Sequence, residues 1–291
     1  MKKTLFTLAF AVLALCACQT NPITGRQQLM LVSEDSAIAA SKEAYVAMLQ
    51  PLEKNGQINN NAAETARIER ITGLLVAQAI KFRPETESWE WGIKVIDEPK
   101  TVNAWAMAGG KMAIYTGLID QLKATDDELA QVLGHEIAHA LAKHTAERMS
   151  RALAMQAGLG VIGATTQGSK YGGLALTGAQ LAAVVALELP NSRGAESEAD
   201  RIGMELAAKA GFHPQAAVTL WDKMGKVGGS DGSSLFDFLS THPAPAKRME
   251  TLAALVPKMM PYYLDKSTRP TYQIRSSSNG RTVAEQSAKA Q

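Results

Sequence analysis

The fifteen residues Thr125-Asp126-Asp127-Glu128-Leu129-Ala130-Gln131-Val132-Leu133-Gly134-His135-Glu136-Ile137-Ala138-His139 constrain this chain more than any other stretch. Thr125 and Glu128 have the spacing of a capping box, in which hydroxyl and carboxylate accept from backbone N–H groups at a helix start, and Asp126 and Asp127 suit the positive end of the helix dipole. The run that follows is therefore read as helix. On a helix, His135 and His139 lie one turn apart on one face, so both imidazoles reach a single ion at about 2.0–2.1 Å. Glu136 neighbours that face and can reach a metal-bound water without ligating the metal. The spacing is H-E-x-x-H, and its donor types point to zinc and to hydrolysis. The bland alternative is two unrelated histidines with a chance glutamate between them, and the capped helix argues against it.

Two histidines leave the ion short of ligands. The extended pattern H-E-x-x-H-x-x-G-x-x-H fails, because Ala142 and Thr145 stand where its glycine and third histidine belong. His144, five residues after His139, is rotated off the ligand face of a straight helix and reads as a solvated or capping residue. Further on stands Arg193-Gly194-Ala195-Glu196-Ser197-Glu198-Ala199-Asp200. Glu196 and Asp200 are four apart and share a helix face, so one can ligate the metal while the other hydrogen-bonds a ligating histidine. Alone, an acidic pair at this spacing is usually solvated. Behind an H-E-x-x-H helix it is the leading candidate.

These motifs, with Thr241-His242-Pro243, Asn103-Ala104-Trp105-Ala106, Gly109-Gly110 and the run Asn21 to Leu29, resemble the HtpX, LoiP and BepA type of gluzincin metallopeptidase over about Asn21 to Leu255. The LoiP-like lipoproteins are the nearer comparison, since neither a C-terminal repeat domain nor clear membrane spans are visible. The resemblance implies a zincin core with one zinc ion held by His135, His139 and Glu196, Glu136 as general base, and Asp200 orienting His135. It also implies that the strand of Asn103, Ala104, Trp105 and Ala106 binds peptide by backbone pairing. His242 is implied either as a fourth, inhibitory zinc ligand or as a hydrogen-bond donor to the tetrahedral oxyanion, with Arg248 supporting either pose or merely packing. The implied activity is endopeptide hydrolysis of unfolded or misassembled outer-membrane or periplasmic proteins, with other envelope proteins as further partners. The rivals are a zinc-containing envelope chaperone or assembly factor with little proteolysis, and a zinc hydrolase of cell-wall peptides.

The N-terminus reads as an address. Lys2 and Lys3 precede an apolar run from Leu5 to Leu15 and then Leu15-Cys16-Ala17-Cys18-Gln19, a secretory signal whose apolar region is too short to span a bilayer stably. A plain signal peptide would be cut near Ala17. Leu15 and Ala17 before Cys18 suit a lipoprotein signal better, with residues 1–17 removed and Cys18 lipidated, so that acyl chains anchor the protein to a membrane without a spanning helix. Gln19, by resemblance to known lipoproteins, favours the outer membrane. The expected location is thus the bacterial envelope, lipid-anchored and facing the periplasm. The expected organisation is an anchor and linker at 18–32, a metallopeptidase domain at 33–260 and a polar, flexible tail at 261–291.

Composition closes off other classes. With 46% apolar residues, 20% charged and a net charge of +2, the chain can bury a core, which argues against disorder and against a nucleic-acid grip built on basic charge. Two cysteines build neither a disulfide scaffold nor a four-cysteine zinc site. Apolar residues at helical spacing run from Ser33 to about Gln50 and from Ala62 to Phe82, closed by Pro51 and Pro84. Trp89 to Ile96 has strand period, and Val102 to Tyr115 reads as strand broken by a turn or bulge at Gly109-Gly110. From Thr125 onward the pattern is helical. The fold expected is α+β, predominantly helical, with a small edge-strand sheet beside the H-E-x-x-H helix. Residues 152–189 carry only Lys170 and Glu188 as charges, but their glycines, threonines and glutamines favour a buried helix and a mobile Gly-rich loop over a membrane span.

Overall fold

The computed structural model describes residues 18–162, 178–187, 191–231 and 248–274, with Phe238 and His242 between the last two stretches. In chain order the elements are β1 (Cys18–Thr20), β2 (Gln27–Leu29), α1 (Glu34–Lys54), α2 (Ala62–Phe82), a 3-10 turn (Pro84–Ser88), β3 (Gly92–Ile96), β4 (Ala104–Met107) and β5 (Lys111–Tyr115). Helices follow: α3 (Thr116–Gln121), α4 (Asp126–Leu141), α5 (His144–Ile162), α6 (Gly178–Leu187), α7 (Arg193–Ala210), α8 (Ala216–Asp231) and α9 (Arg248–Leu264). The architecture is predominantly helical with small sheets around a zincin-type core, as expected.

Strand period places the sheet. β5 lies in the middle, parallel to β3 and antiparallel to β4, and these two form the edges. Gly109 and Gly110 turn the chain between β4 and β5 with φ of +82° and +79°, and a Cβ on Gly110 would meet the Trp91 ring at 2.4 Å. Alternate residues then face opposite layers. Ile93, Val95, Ala104, Ala106, Met112 and Ile114 join a core shared with α2, α4 and α7. Ile96, Trp105, Met107 and Ala113 join a second core with α1 and α6. Both faces are covered, so all of β4 is buried.

Helix α4 is the centre of the molecule. Both halves of its capping box form, and each residue from Glu128 to Leu141 is buried. It crosses α7 where two glycines meet: a Cβ on Gly134 would lie 2.8 Å from the Gly203 carbonyl oxygen, and one on Gly203 would lie 2.6 Å from the His135 nitrogen. The backbones touch directly. That close approach carries the side chains of α7 to the histidines of α4.

Three expectations need correction. Helix α1 continues through Pro51 to Lys54, because proline's φ is helical and near a helix end its ring interrupts little of the hydrogen-bond ladder. Residues 18–32, expected as anchor and linker, are built into the fold: β1 and β2 pair as a hairpin, and the side-chain amides of Asn21 and Gln28 donate to the Ala142 carbonyl at the end of α4, at 3.0 and 2.8 Å. The tail does not come loose at 261. Helix α9 runs through Pro261 to Leu264, the Tyr272 N–H donates to the Gly73 carbonyl at 2.9 Å, and Tyr272 and Ile274 pack on the first core. A polar composition hid two apolar anchors. The signal at 1–17, the Gly-rich stretch 163–177 and residues 275–291 lie outside the described residues. Among the described residues no helix is long and apolar enough to cross a membrane.

Gly203→Ala is expected to force α4 and α7 apart, destabilising the fold by about 1–3 kcal/mol through overpacking and lowering zinc content. Thermal denaturation and metal analysis of the purified variant read both, and a wild-type midpoint with full zinc would show that the crossing tolerates a methyl group.

Candidate metal centre

One turn of α4 presents His135 and His139 with Nε2 atoms 3.0 Å apart. Across the crossing, Glu196 on α7 sets Oε2 3.5 Å from His135 Nε2 and Oε1 3.3 Å from His139 Nε2. One turn further on, Asp200 Oδ1 lies 3.0 Å from His135 Nδ1. His242 arrives from outside the helix pair and places Nε2 3.3 Å from Glu136 Oε1, while its ring stacks on Phe238. His135, His139, Glu196 and His242 each bring one ligand atom within 4.8 Å of the others, and all four are buried. The sequence-derived candidates thus converge on one point.

The donors fit a metal ion. Glu136 Oε1 and Glu196 Oε1 are buried without a hydrogen bond, which is costly for a carboxylate unless a cation serves as partner. Imidazole nitrogens and one carboxylate are the donor set of zinc. Electrostatics agrees. Burial opposes ionisation of Glu196, but His135 and His139 overcome it and hold the carboxyl far below its usual range. At His139 burial prevails and pushes the imidazole well below its ordinary value. At His135 burial is outweighed by Asp200 and Glu196, which raise it to about 9. Neutral His139 and ionised Glu196 are already in ligating form, and a cation binding at His135 displaces its proton.

Around this set the structure corrects or sharpens the sequence reading, and adds Asn191 to it. His144, expected as a solvated or capping residue, is 1% exposed and places Nδ1 2.7 Å from His139 Nδ1. The straight-helix assumption failed there: α4 ends at Leu141, Lys143 adopts φ +60°, and α5 begins at His144, which swings the ring back beside His139. Arg248 donates to Glu196 Oε2 at 3.0 Å and Asp200 Oδ1 at 2.6 Å, with its guanidinium stacked over Trp221. It holds both carboxylates. Asn191 Nδ2 comes within 3.4 Å of His139 Nε2. Arg248, expected to support His242 or merely to pack, is on Glu196 and Asp200 instead. The Asn103 side chain accepts from the Ala104 N–H at 2.9 Å, and the Ala106 N–H donates to Glu136 Oε2 at 3.2 Å. The edge strand therefore touches the site. Thr241 and Pro243 lie outside the described residues, and Cys18 is exposed on β1, distant in sequence from the centre.

Residues 62–256 match peptidase family M48. The chain belongs to that family. Membership shows a zinc metallopeptidase, hence a hydrolase, with zinc as its metal. Among its relatives, the mitochondrial metalloendopeptidase OMA1 of Saccharomyces cerevisiae is 36% identical over 251 residues, 83% of this chain and 70% of that protein. Mitochondrial metalloendopeptidase OMA1 of Homo sapiens is 31% identical over 262 residues, 88% of this chain and 49% of that protein. Metalloprotease LoiP of Escherichia coli is 34% identical over 161 residues, 52% of this chain and 57% of LoiP. The chain spans about half the length of the human relative and 32% of that of the Arabidopsis thaliana OMA1. Two expectations change. The narrower LoiP-like grouping gives way to the wider family, since LoiP aligns with half of the chain and OMA1 with most of it. The placement at a bacterial outer membrane facing the periplasm is overturned, because the relatives aligning along most of the chain are named as mitochondrial proteins.

Glu196→Ala is expected to drop bound zinc well below one per chain while leaving helix content intact, read by metal analysis beside circular dichroism. Full zinc occupancy in this variant would remove Glu196 from the ligand set.

Proposed function

We propose that the chain is an endopeptidase that cuts extended segments of unfolded or misassembled polypeptides, a quality-control activity, from a resting state in which its own groups occupy the site. The observation that carries this reading is the hydrogen bond from the Ala106 N–H to Glu136 Oε2. In the β4–β5 register Ala106 stands opposite Met112, and with its N–H turned to Glu136 its polar groups lie on the free side of the edge strand. A substrate laid along that edge takes its register from main-chain hydrogen bonds. Loosened polypeptides offer such a strand, and compact ones do not.

His135, His139 and Glu196 would hold zinc, with Asp200 and Arg248 fixing their orientation. When bound, zinc lowers the pKa of water towards about 7 and polarises a carbonyl. Glu136, released from Ala106 by an incoming strand, takes the proton of the attacking water and passes it to the leaving amine. A base one hydrogen bond from the substrate-binding edge couples strand binding to its own release.

His242 closes the resting site. Its Nδ1 lies 3.2 Å from the Phe238 carbonyl oxygen, which can only accept, so that nitrogen donates and Nε2 is the ring atom aimed at the ligand cluster. This supports the fourth, inhibitory ligand in the resting state. Once the ring is displaced, the same position suits a donor to the oxyanion. We read 33–260 together with the docked strap at 18–32 and residues 261–274 as the catalytic domain, and the exposed Cys18 supports lipid attachment at the N-terminal side as part of the proposal.

Glu136→Gln is expected to lower cleavage of an unfolded, casein-like protein by at least about 100-fold, in the range of general acid–base contributions, with zinc content unchanged. Equal rates at matched metal content would remove Glu136 as base. His242→Ala is expected to raise basal cleavage of the same substrate. A fall in rate would instead favour the oxyanion role alone.

A further inference from the structure

The run Asn21 to Leu29 lies more than a hundred residues from the zinc ligand His139 in sequence, yet a continuous chain of side chains joins them. His139 turns Nε2 towards Glu196 and His135, so in ligating form its hydrogen sits on Nδ1. The neighbour of Nδ1, at 2.7 Å, is His144 Nδ1, which must then accept. That leaves His144 with its hydrogen on Nε2, 3.0 Å from Glu198 Oε2, and a carboxylate oxygen accepts it. Every donor and acceptor in the relay is thereby assigned. Glu198 is held in turn from the N-terminal run: Thr24 Oγ1 donates to Oε1 at 2.5 Å and Arg26 Nε to Oε2 at 2.8 Å. The two outer nitrogens of Arg26 bind both oxygens of Glu147 at 2.9 and 2.7 Å, and Gln28 donates to Glu147 at 2.9 Å. Asn21 and Gln28 also fix the Ala142 carbonyl, beside the bend that brings His144 round.

We propose that His144, Glu198, Arg26 and Thr24 are positioning residues for the metal centre: the strap Asn21–Leu29 locks His139 in its zinc-ligating tautomer and orientation through the His144–Glu198 relay. The strap is then part of the metal site, although none of its residues touches the ion. A ligating histidine that loses the partner of its second nitrogen typically forfeits 10–100-fold in metal affinity, and the relay predicts that range. It rests on His139 as a zinc ligand, and not on which polypeptides the enzyme cuts.

The test measures zinc dissociation constants by chelator competition on the full chain, together with visible absorption of the cobalt-substituted protein. His144→Ala is expected to weaken zinc binding about 10–100-fold and to change the cobalt spectrum. His144→Asn, whose side-chain oxygen can accept from His139 Nδ1–H, is expected to recover most of that loss. Arg26→Leu, further from the ion, is expected to weaken zinc in the same direction and keeps the test open should His144→Ala fail to fold. Asp126→Asn, which removes ion pairs to Arg67 and Arg70 at the far end of the same helix, is expected to lower stability without altering zinc affinity. An unchanged dissociation constant in both His144→Ala and Arg26→Leu overturns the proposal, as does His144→Asn behaving like His144→Ala. Wild-type protein that fails to bind one zinc per chain would sink the premise about His139 and the inference with it.

Discussion

Two backbones in contact hold this structure to its chemistry. Where Gly134 meets Gly203, α4 and α7 approach more closely than any side chain would allow. Glu196 therefore reaches two histidines one turn apart, and Asp200 reaches the far nitrogen of the first. Carboxylate side chains are short, so a separation set by ordinary residues at the crossing would leave them out of range. The ligand set is a property of the crossing before it is a property of any one residue.

The same closeness concentrates charge in a buried place. Glu136 and Glu196, His135, His139 and His242, and the guanidinium of Arg248 are all withdrawn from water. Burial of so many ionisable groups is tolerated because each meets a partner or a place for a cation. Arg248 neutralises from one side, and the relay through His144 to Glu198 and Arg26 anchors the other. The ligand cluster, the helices and the N-terminal strap thus form one electrostatic unit, and the edge strand joins it through Ala106 and Glu136.

Much of this was legible along the chain because it depends on short-range geometry. The capping box at Thr125 is a four-residue pattern, and H-E-I-A-H and E-S-E-A-D are one-turn patterns on a helix face. Ala62–Phe82 and the turn at Gly109-Gly110 follow from local periodicity and local sterics. The misreadings share the opposite cause. His144 was assigned by continuing a straight helix past a residue that adopts positive φ, the strap was judged by its breakers Pro22 and Gly25 and residues 261–274 by polar composition, although a few side chains in each dock on distant surfaces. The address read at the N-terminus is a local pattern as well, and the relatives that align along most of the chain overrule the compartment it suggested.

The sequence by itself determined the chemistry of the site: a capped helix bearing two imidazoles and a carboxylate on adjoining faces, a carboxylate pair on a second helix, and so a zinc-type hydrolytic centre, which the resemblance made a peptidase. Each of those features is set within a few residues and needs no knowledge of what lies opposite. Tertiary structure alone decided that the Ala106 N–H holds Glu136, that Arg248 clamps both Glu196 and Asp200, and that residues near the start of the chain brace His139 through His144 and Glu198. Each is a contact between segments tens to more than a hundred residues apart, set by how closely helices can pack, and no local spacing encodes that distance.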